Sequence, residues 1–354
     1  MDESTDITTE RVDDIPLVVA QMRQMGLPVL LECHFPTHGN RAGLTVGWTA
    51  VVWLAHILSR GDHRLNQVQP WAARRLETLR ACTGQSIEAL DVTDDRLADV
   101  LRTLAADTHW VSFERALGQE LLRVYDLAPA CVRVDMTTVS QGGQVTQEGL
   151  FQFGYSKDRR PDAPQVKVGL ATLDPLGLPL ASLVVPGDRA DDPLYVPLIR
   201  QARSVVSRRG VLYVGDCTMG ALTTRATVED GYNYYLCPLA ATQAPPETLD
   251  RYLAEARAGG PPERIERAAA DGPVTHLADG YERTEACATV IESWMDVTWT
   301  ERRLLIRSVA QATAAETALR ARVARAHQAS VGLRVARRGK RRVRTVAAAL
   351  LVPG

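Results

Sequence analysis

The feature that most constrains this chain is a series of short apolar runs between Val132 and Cys237, because their spacing dictates strand direction. Val132 to Val139, Gln165 to Leu173 and Leu178 to Val185 are rich in Val, Leu and Thr, the composition of half-buried or buried strands. The first two are separated by the long polar loop QGGQVTQEGLFQFGYSKDRRPDAP, the second and third only by Asp174-Pro175-Leu176-Gly177, a tight turn by its residue types. Strands so closely linked run antiparallel, since a parallel return needs a crossover of about a dozen residues or more. Asp192 and Pro193 then open a helix that turns Leu194, Leu198, Ile199, Ala202, Val205 and Val206 inward and stops at Arg208-Arg209-Gly210. Val211 to Gly215 is a fourth strand, Met219 to Asp230 a helix and Tyr232 to Cys237 a fifth strand. The order is three antiparallel strands, helix, strand, helix, strand.

Two aspartates punctuate this series, Asp135 in CVRVDMTTVS and Asp216 in GVLYVGDCTMGA, each read as ending an apolar run. A carboxylate at the end of a buried strand is costly unless it is paired or coordinates a cation. The strand order matches a ribonuclease H-like core, in which the first strand is central and the fourth lies beside it. Asp135 and Asp216 are then expected side by side, where their repulsion is relieved by divalent cations. Mg²⁺ suits the role, being a hard ion that takes oxygen ligands and keeps positions open for phosphate and water. Two such ions serve in-line phosphoryl displacement by activating the nucleophile and stabilising the leaving oxygen.

Residues 13 to 127 read as helical. Ile15 to Met25 is an amphipathic helix that Leu27-Pro28 is expected to end. Val46 to Leu58 is a buried helix, too short to cross a bilayer. A further helix is expected around Trp71 to Arg80, with a stop at Gly84. Thr93 is an N-cap followed by Asp94 and Asp95, and Trp110, Phe113, Leu117, Leu121 and Val124 form a last stripe. Arg41 and the pair Arg74-Arg75 are DNA-compatible basic patches, although surface arginines are more often a solvated face. Cys33-His34 with His38 lacks a second pair at zinc-finger spacing. Six cysteines scattered without a C-x-x-C pair read as reduced core residues.

The net charge of −1 hides an asymmetry: 13 of the 41 Lys and Arg but only 2 of the 42 Asp and Glu follow position 300. Ala240 to Gly280 is rich in Pro, Gly and Ala, as at the surface start of an inserted domain. Tyr281 to Thr300 contains strand-like ACATVIESWMDVTW, and a long helix is expected from Glu301 to about Gln328, with Leu305, Val309, Ala312, Leu319, Val323 and Ala326 in heptad-like spacing. The run ARRGKRRVRTV beyond it is suited to DNA backbone contact. The acidic N-terminus, MDESTDITTERVDD, has no charged-then-apolar signal pattern, which predicts a cytoplasmic protein without a membrane span.

The stretches GDHRLNQVQPWAARRLETLR, VDMTTVS, GLFQFGYSKDRRPDAPQVKVGLATLDPLGLPLASLVVPGDRADDPLY and LYVGDCTMGALTTRA resemble a bacterial insertion-sequence transposase of the DDE, cut-and-paste class, a likeness running from about Ile15 to the end of the chain. The resemblance implies an α/β fold: a ribonuclease H-like core over residues 129–240, preceded by a helical DNA-binding domain over 1–128 and followed by an inserted region over 241–354 with a long helix and basic arm. It implies an enzyme that cuts DNA at element ends and joins the 3′-hydroxyl to target DNA. Its partners would be duplex terminal repeats and target DNA, bound as a homo-oligomer. Such enzymes hold two Mg²⁺, with Mn²⁺ as substitute, on two Asp and one Glu; Asp135 matches the first acid and Asp216 the second. The third acid belongs to a tyrosine- and arginine-containing helical motif that has no match here. Glu285, Glu292 and Glu301 are available acids outside any such motif, so the chain is expected to be truncated before the third acid and of low activity alone. The alternative is a non-catalytic remnant that binds element ends and inhibits a full-length copy. A phosphotransferase of the haloacid dehalogenase type, with Asp135 as nucleophile, fits poorly because Thr137 stands where its second Asp is required.

Overall fold

The computed structural model describes residues 9–142, 144–157, 159–268, 273–292 and 295–335. The chain divides into two compact units: Met1–Gln243 with Thr289–Val297, and Ala244–Ala288 with Thr298–Gly354. No helix among the described residues is long and apolar enough to cross a membrane.

The first unit opens with seven helices, α1 Ile15–Gln24, α2 Leu27–His34, α3 Val46–Arg60, α4 Val68–Ala73, α5 Leu76–Thr83, α6 Asp94–Leu104 and α7 Asp107–Val124. Leu27-Pro28 does more than end α1, as the sequence suggested: it begins α2. Gly26 takes the left-handed conformation, at φ 68°, that breaks the chain direction, and a proline in a first helical turn forfeits an N–H that has no partner there anyway. The helix expected around Trp71 to Arg80 is two, broken at Arg74 and Arg75, and Gly84 closes the second with φ 68°. Thr93 caps α6 as expected, its hydroxyl accepting from the Arg96 backbone N–H at 3.4 Å. Ile15, Val52, Leu79, Leu97 and Phe113 meet in one hydrophobic cluster, each such side chain contributing about 1.5–3 kcal/mol when fully buried.

Two of the three predicted basic-patch residues are structural. Arg75 is 6% exposed and donates to the Trp71 carbonyl at 3.3 Å and to Asp13 at 3.1 Å. Arg41 is half-buried and donates to the Leu44 carbonyl and the Thr49 hydroxyl. Each guanidinium is spent on holding a turn, which leaves Arg74 exposed as the surface cation of the set.

A five-stranded mixed sheet follows, built from β1 Cys131–Ser140, β2 Gln165–Leu173, β3 Leu178–Pro186, β4 Leu212–Val214 and β5 Tyr234–Leu236, with α8 Tyr195–Val206 and α9 Leu222–Asp230 between the later strands. Its order is β3-β2-β1-β4-β5. β1 to β3 are antiparallel, whereas β4 runs parallel to β1 and β5 parallel to β4. The first strand is therefore central with the fourth beside it. Leu198, Ile199, Ala202 and Val205 of α8 share a core with Val134 and Met136 of β1. Gly169 in β2 permits that approach, since a Cβ there would lie 2.7 Å from Met136 Sδ and 3.0 Å from Leu198 Cδ2. The alternate residues of β1, Arg133, Asp135, Thr137 and Val139, are exposed, as are Leu170 and Val184 on its neighbours. One face of the sheet is packed and the other open among the described residues.

The second unit contains α10 Pro246–Ala258, β6 Glu263–Arg267, most of β7 Thr275–Ile291 and of β8 Met295–Ser308, and α11 Val309–Val335. The strands form a sheet in the order β6-β7-β8. The expected helix from Glu301 is instead strand as far as Ser308. ERRLLIRS reads equally as a period-two segment, and its arginines pair across and along the strands, Arg302 with Glu282 of β7 at 2.5 Å and Arg303 with Glu301 at 2.7 Å. Leu319 and Val323 of α11 are 57% and 60% exposed, so this part of the heptad-like stripe is open among the described residues. ARRGKRRVRTV lies outside the described residues. No disulfide joins any of the six cysteines, and Cys33 and Cys217 lie at the surface rather than in a core.

Candidate active site

β1 and β4 pair in parallel with Val132 opposite Tyr213 and Arg133 opposite Val214. Carried two residues further, that register sets Asp135 level with Asp216. Asp135 does not end its strand: β1 continues to Ser140 because it stays paired with β2, with Asp135 opposite Leu170 and Ser140 opposite Gln165. It lies just past the point where the pairing with β4 stops. Both carboxylates are exposed, so the burial penalty invoked from the sequence is small and their proximity carries the chemistry instead.

Asp216 is held firmly. It precedes a 3-10 turn over Cys217–Gly220 and accepts from the Thr218 backbone N–H at 2.9 Å. The Tyr195 hydroxyl donates to the same oxygen, Oδ1, at 2.8 Å, and the Thr218 hydroxyl also reaches it. Partial burial pushes this carboxyl up, but the bonds from Thr218 and Tyr195 outweigh it and hold it below the ordinary aspartate range. These three hydrogen bonds fall on Oδ1, and the Met219 backbone N–H also helps to lower this carboxyl. Asp135 likewise uses one oxygen, Oδ1 accepting from the Met136 N–H at 2.8 Å.

Tyr195, at the start of α8, is fully buried. Burial drives its hydroxyl far above the usual tyrosine range, and the charges of Asp216 and Asp135 push it the same way, so it remains a proton donor at any physiological pH. A lysine also approaches: Lys157 Nζ donates to the Met136 carbonyl, beside Asp135, and lies 3.6 Å from Asp191, which in turn pairs with the buried Lys167.

Tyr195, Thr218, Lys157 and Asp191 were not singled out from the sequence. Thr218 carried a signal, since an aspartate two residues before a threonine N–H is a common capping turn. Tyr195 carried none, because it meets Asp216 from another element. Glu285 and Glu301 belong to the second unit, where Glu285 pairs with Arg283 at 2.9 Å and Glu301 with Arg303; Glu292 pairs with Arg200. Among the described residues no group of three or more His, Cys, Asp or Glu could hold a metal ion.

Two exposed carboxylates, each with its side-chain hydrogen bonds gathered on Oδ1, suit an ion that needs few protein ligands. Mg²⁺ is commonly bound through one or two carboxylates, its other positions left to water and phosphate. The donor set therefore fits Mg²⁺, while His and Cys, the ligands Zn²⁺ prefers, are missing from it apart from the exposed Cys217.

The chain is thus an α/β protein with a mixed five-stranded sheet and an exposed carboxylate pair at the β1–β4 junction. Among solved structures it is similar to a piggyBac transposase synaptic complex with hairpin DNA, at 9% identity and a TM-score of 0.34 over 81% of this chain. It is also similar to a Mos1 transposase paired-end complex with left transposon end, at 11% identity and a TM-score of 0.23, and to a Mos1 strand transfer complex, at 14% and 0.22. Each Mos1 match covers 71% of this chain, and 92% and 85% of the Mos1 chains respectively. The chain spans 58% of the piggyBac chain. No family model and no curated protein matches it.

Proposed function

We propose that the chain is a DNA strand-cleaving and strand-transferring protein of the transposase type, built on a ribonuclease H-like sheet, with Asp135 and Asp216 as its Mg²⁺ ligands and catalytic carboxylates. The observation that supports this reading is the parallel β1–β4 register, with Arg133 opposite Val214, which continued by two residues brings Asp135 level with Asp216; the motif runs around them agree with it. When bound, Mg²⁺ would supply Lewis-acid activation of a water or 3′-hydroxyl and charge neutralisation at the phosphodiester, with Mn²⁺ as substitute. Asp216, fixed by Tyr195 and Thr218, gives a ligand that needs no reorganisation. Asp135, on the open face, meets the backbone of DNA laid across the sheet. Lys157 supplies positive charge beside it for a non-bridging phosphate oxygen. The partners in this reading are element-end duplex and target DNA, brought together by a homo-oligomer of the chain.

The test is a supercoiled plasmid carrying the terminal inverted repeats, incubated with the protein and Mg²⁺ or Mn²⁺. Cleavage that disappears in Asp135→Asn and in Asp216→Asn supports the reading, and cleavage indifferent to both substitutions rejects it. A second reading, a non-catalytic binder of element ends that inhibits a complete enzyme, is favoured by one observation: no group of three or more His, Cys, Asp or Glu that could hold a metal ion gathers among the described residues. Gel-shift binding to the repeats with no cleavage in either metal selects it.

A further inference from the structure

Away from the sheet, the helical part of the first unit contains a cavity of about 690 Å³ between the ends of α3, α4 and α5 and the segment before α1. Its lining is rich in hydrogen-bond donors. Arg60 and Arg74 are exposed there and make no hydrogen bond or ion pair with the described residues. His56 and Trp71, only 2% and 3% exposed, line the same cavity, and His56 Nδ1 and Trp71 Nε1 are buried without a hydrogen-bond partner. Buried polar atoms in a folded protein are almost always satisfied, so the unpartnered Trp71 Nε1 donor and His56 Nδ1, a donor or an acceptor by tautomer, mark this wall as polar.

The wall opposite the arginines shows what kind of occupant. Glu10 reaches back to the N-terminus of α5, accepting from the backbone N–H groups of Glu77 at 3.1 Å and Thr78 at 2.9 Å and from the Thr78 hydroxyl at 2.9 Å. Burial pushes its carboxyl up, but these bonds and the nearby Arg75 together outweigh it and hold it below the ordinary glutamate range. Free helix N–H groups with arginines alongside are the surroundings in which proteins bind phosphate, and here a carboxylate of the chain itself takes the amides. The other acid in the lining, Asp62, is neutralised by Arg64 at 2.7 Å.

We propose that this cavity is a binding site for a phosphate group, with Arg60 and Arg74 as its ligands and Glu10 as an internal anion that occupies the α5 amides until the phosphate displaces it. The site is distinct from the Asp135–Asp216 pair and does not depend on the function proposed for that pair. The phosphate could belong to a DNA backbone or to a free polyphosphate, and the experiment separates them.

Full-length protein is titrated with inorganic pyrophosphate by calorimetry and with a short DNA duplex by fluorescence anisotropy at several salt concentrations. Arg60→Ala and Arg74→Ala, which remove exposed and unpaired side chains, are expected to weaken binding about tenfold each. Glu10→Gln, checked for an unchanged melting profile, is expected to tighten it about threefold by removing the competing charge. Should Glu10→Gln lose the fold, the two arginine variants decide the matter alone. Effects confined to the duplex, with the salt slope falling by about one per arginine lost, assign the site to DNA backbone; effects confined to pyrophosphate assign it to a free polyphosphate. No binding of either probe, or binding indifferent to both arginines, overturns the proposal. The reading of the carboxylate pair is tested by a different readout, plasmid cleavage lost in Asp135→Asn, so failure here is told apart from failure of the nuclease reading.

Discussion

Asp216 shows how much a single carboxylate depends on neighbours that a linear reading does not connect. Its position after a short apolar run was visible in the sequence, whereas Asp135, read the same way, lies inside β1 rather than at its end. Tyr195 was hidden: it lies 21 positions earlier in a helix, and only the folding of α8 onto the sheet brings its hydroxyl to Oδ1. Tyr195→Phe removes one of three hydrogen bonds and is expected to weaken Mg²⁺ binding at the proposed site about tenfold, as loss of a residue that orients a ligand commonly does. The measurement is the rise in melting temperature with added Mg²⁺, and a rise equal to that of the unaltered protein counts against the role. Glu114 of α7 gives a second test at this scale. It accepts from the Ser182 N–H at 2.9 Å and from its hydroxyl, and burial, opposed in part by those bonds, raises its pKa. A raised carboxyl favours the folded state below the unfolded value of about 4.3 and loses that contribution as pH climbs through the folded value. Glu114→Gln should therefore flatten the decline in urea midpoint over that interval, and an unchanged pH profile refutes the assignment.

At the level of elements, periodicity was informative where only one period fitted. α6 was legible from Thr93, the acidic first turn and the spacing of Leu97 and Val100, and the central strands from their lengths and turn residues. ERRLLIRS was misread because both periods suit it, and its strand form is selected by cross-strand pairs such as Arg302–Glu282, which a linear reading does not reveal. Arg75 was read as a surface cation, yet it anchors the junction of α4 and α5. Arg75→Ala, which leaves Asp13 without its buried partner, is expected to cost about 1–3 kcal/mol in chemical denaturation; a loss within experimental error would return Arg75 to the surface class. The contact of α8 with β2 is similarly exacting. Gly169→Ala puts a methyl 2.7 Å from Met136 Sδ and should destabilise by about 1–3 kcal/mol through overpacking, as read from the urea midpoint.

For the molecule as a whole, the asymmetry between the two faces of the sheet matters most. α8 closes one face with a core in which Leu198 is fully buried, and Leu198→Ala is expected to cost about 2–5 kcal/mol by calorimetry or denaturant titration. The open face carries Asp135 among Thr137, Val139 and Leu170, so it has neither the apolar continuity of a core nor the charge density of an ordinary solvated surface. That mixture was legible as strand alternation but not as an open face, since nothing in the sequence states which side a helix will cover. The β1–β4 register has a consequence of its own. Neighbouring strands are separated by about 4.8 Å, so the spacing of β1 and β4 acts as a ruler for the two carboxylates of the proposed Mg²⁺ site. A ruler of this kind has no fine adjustment: a one-residue slip of β4 would turn its side chains to the opposite faces, and the pair would be lost with every residue still present.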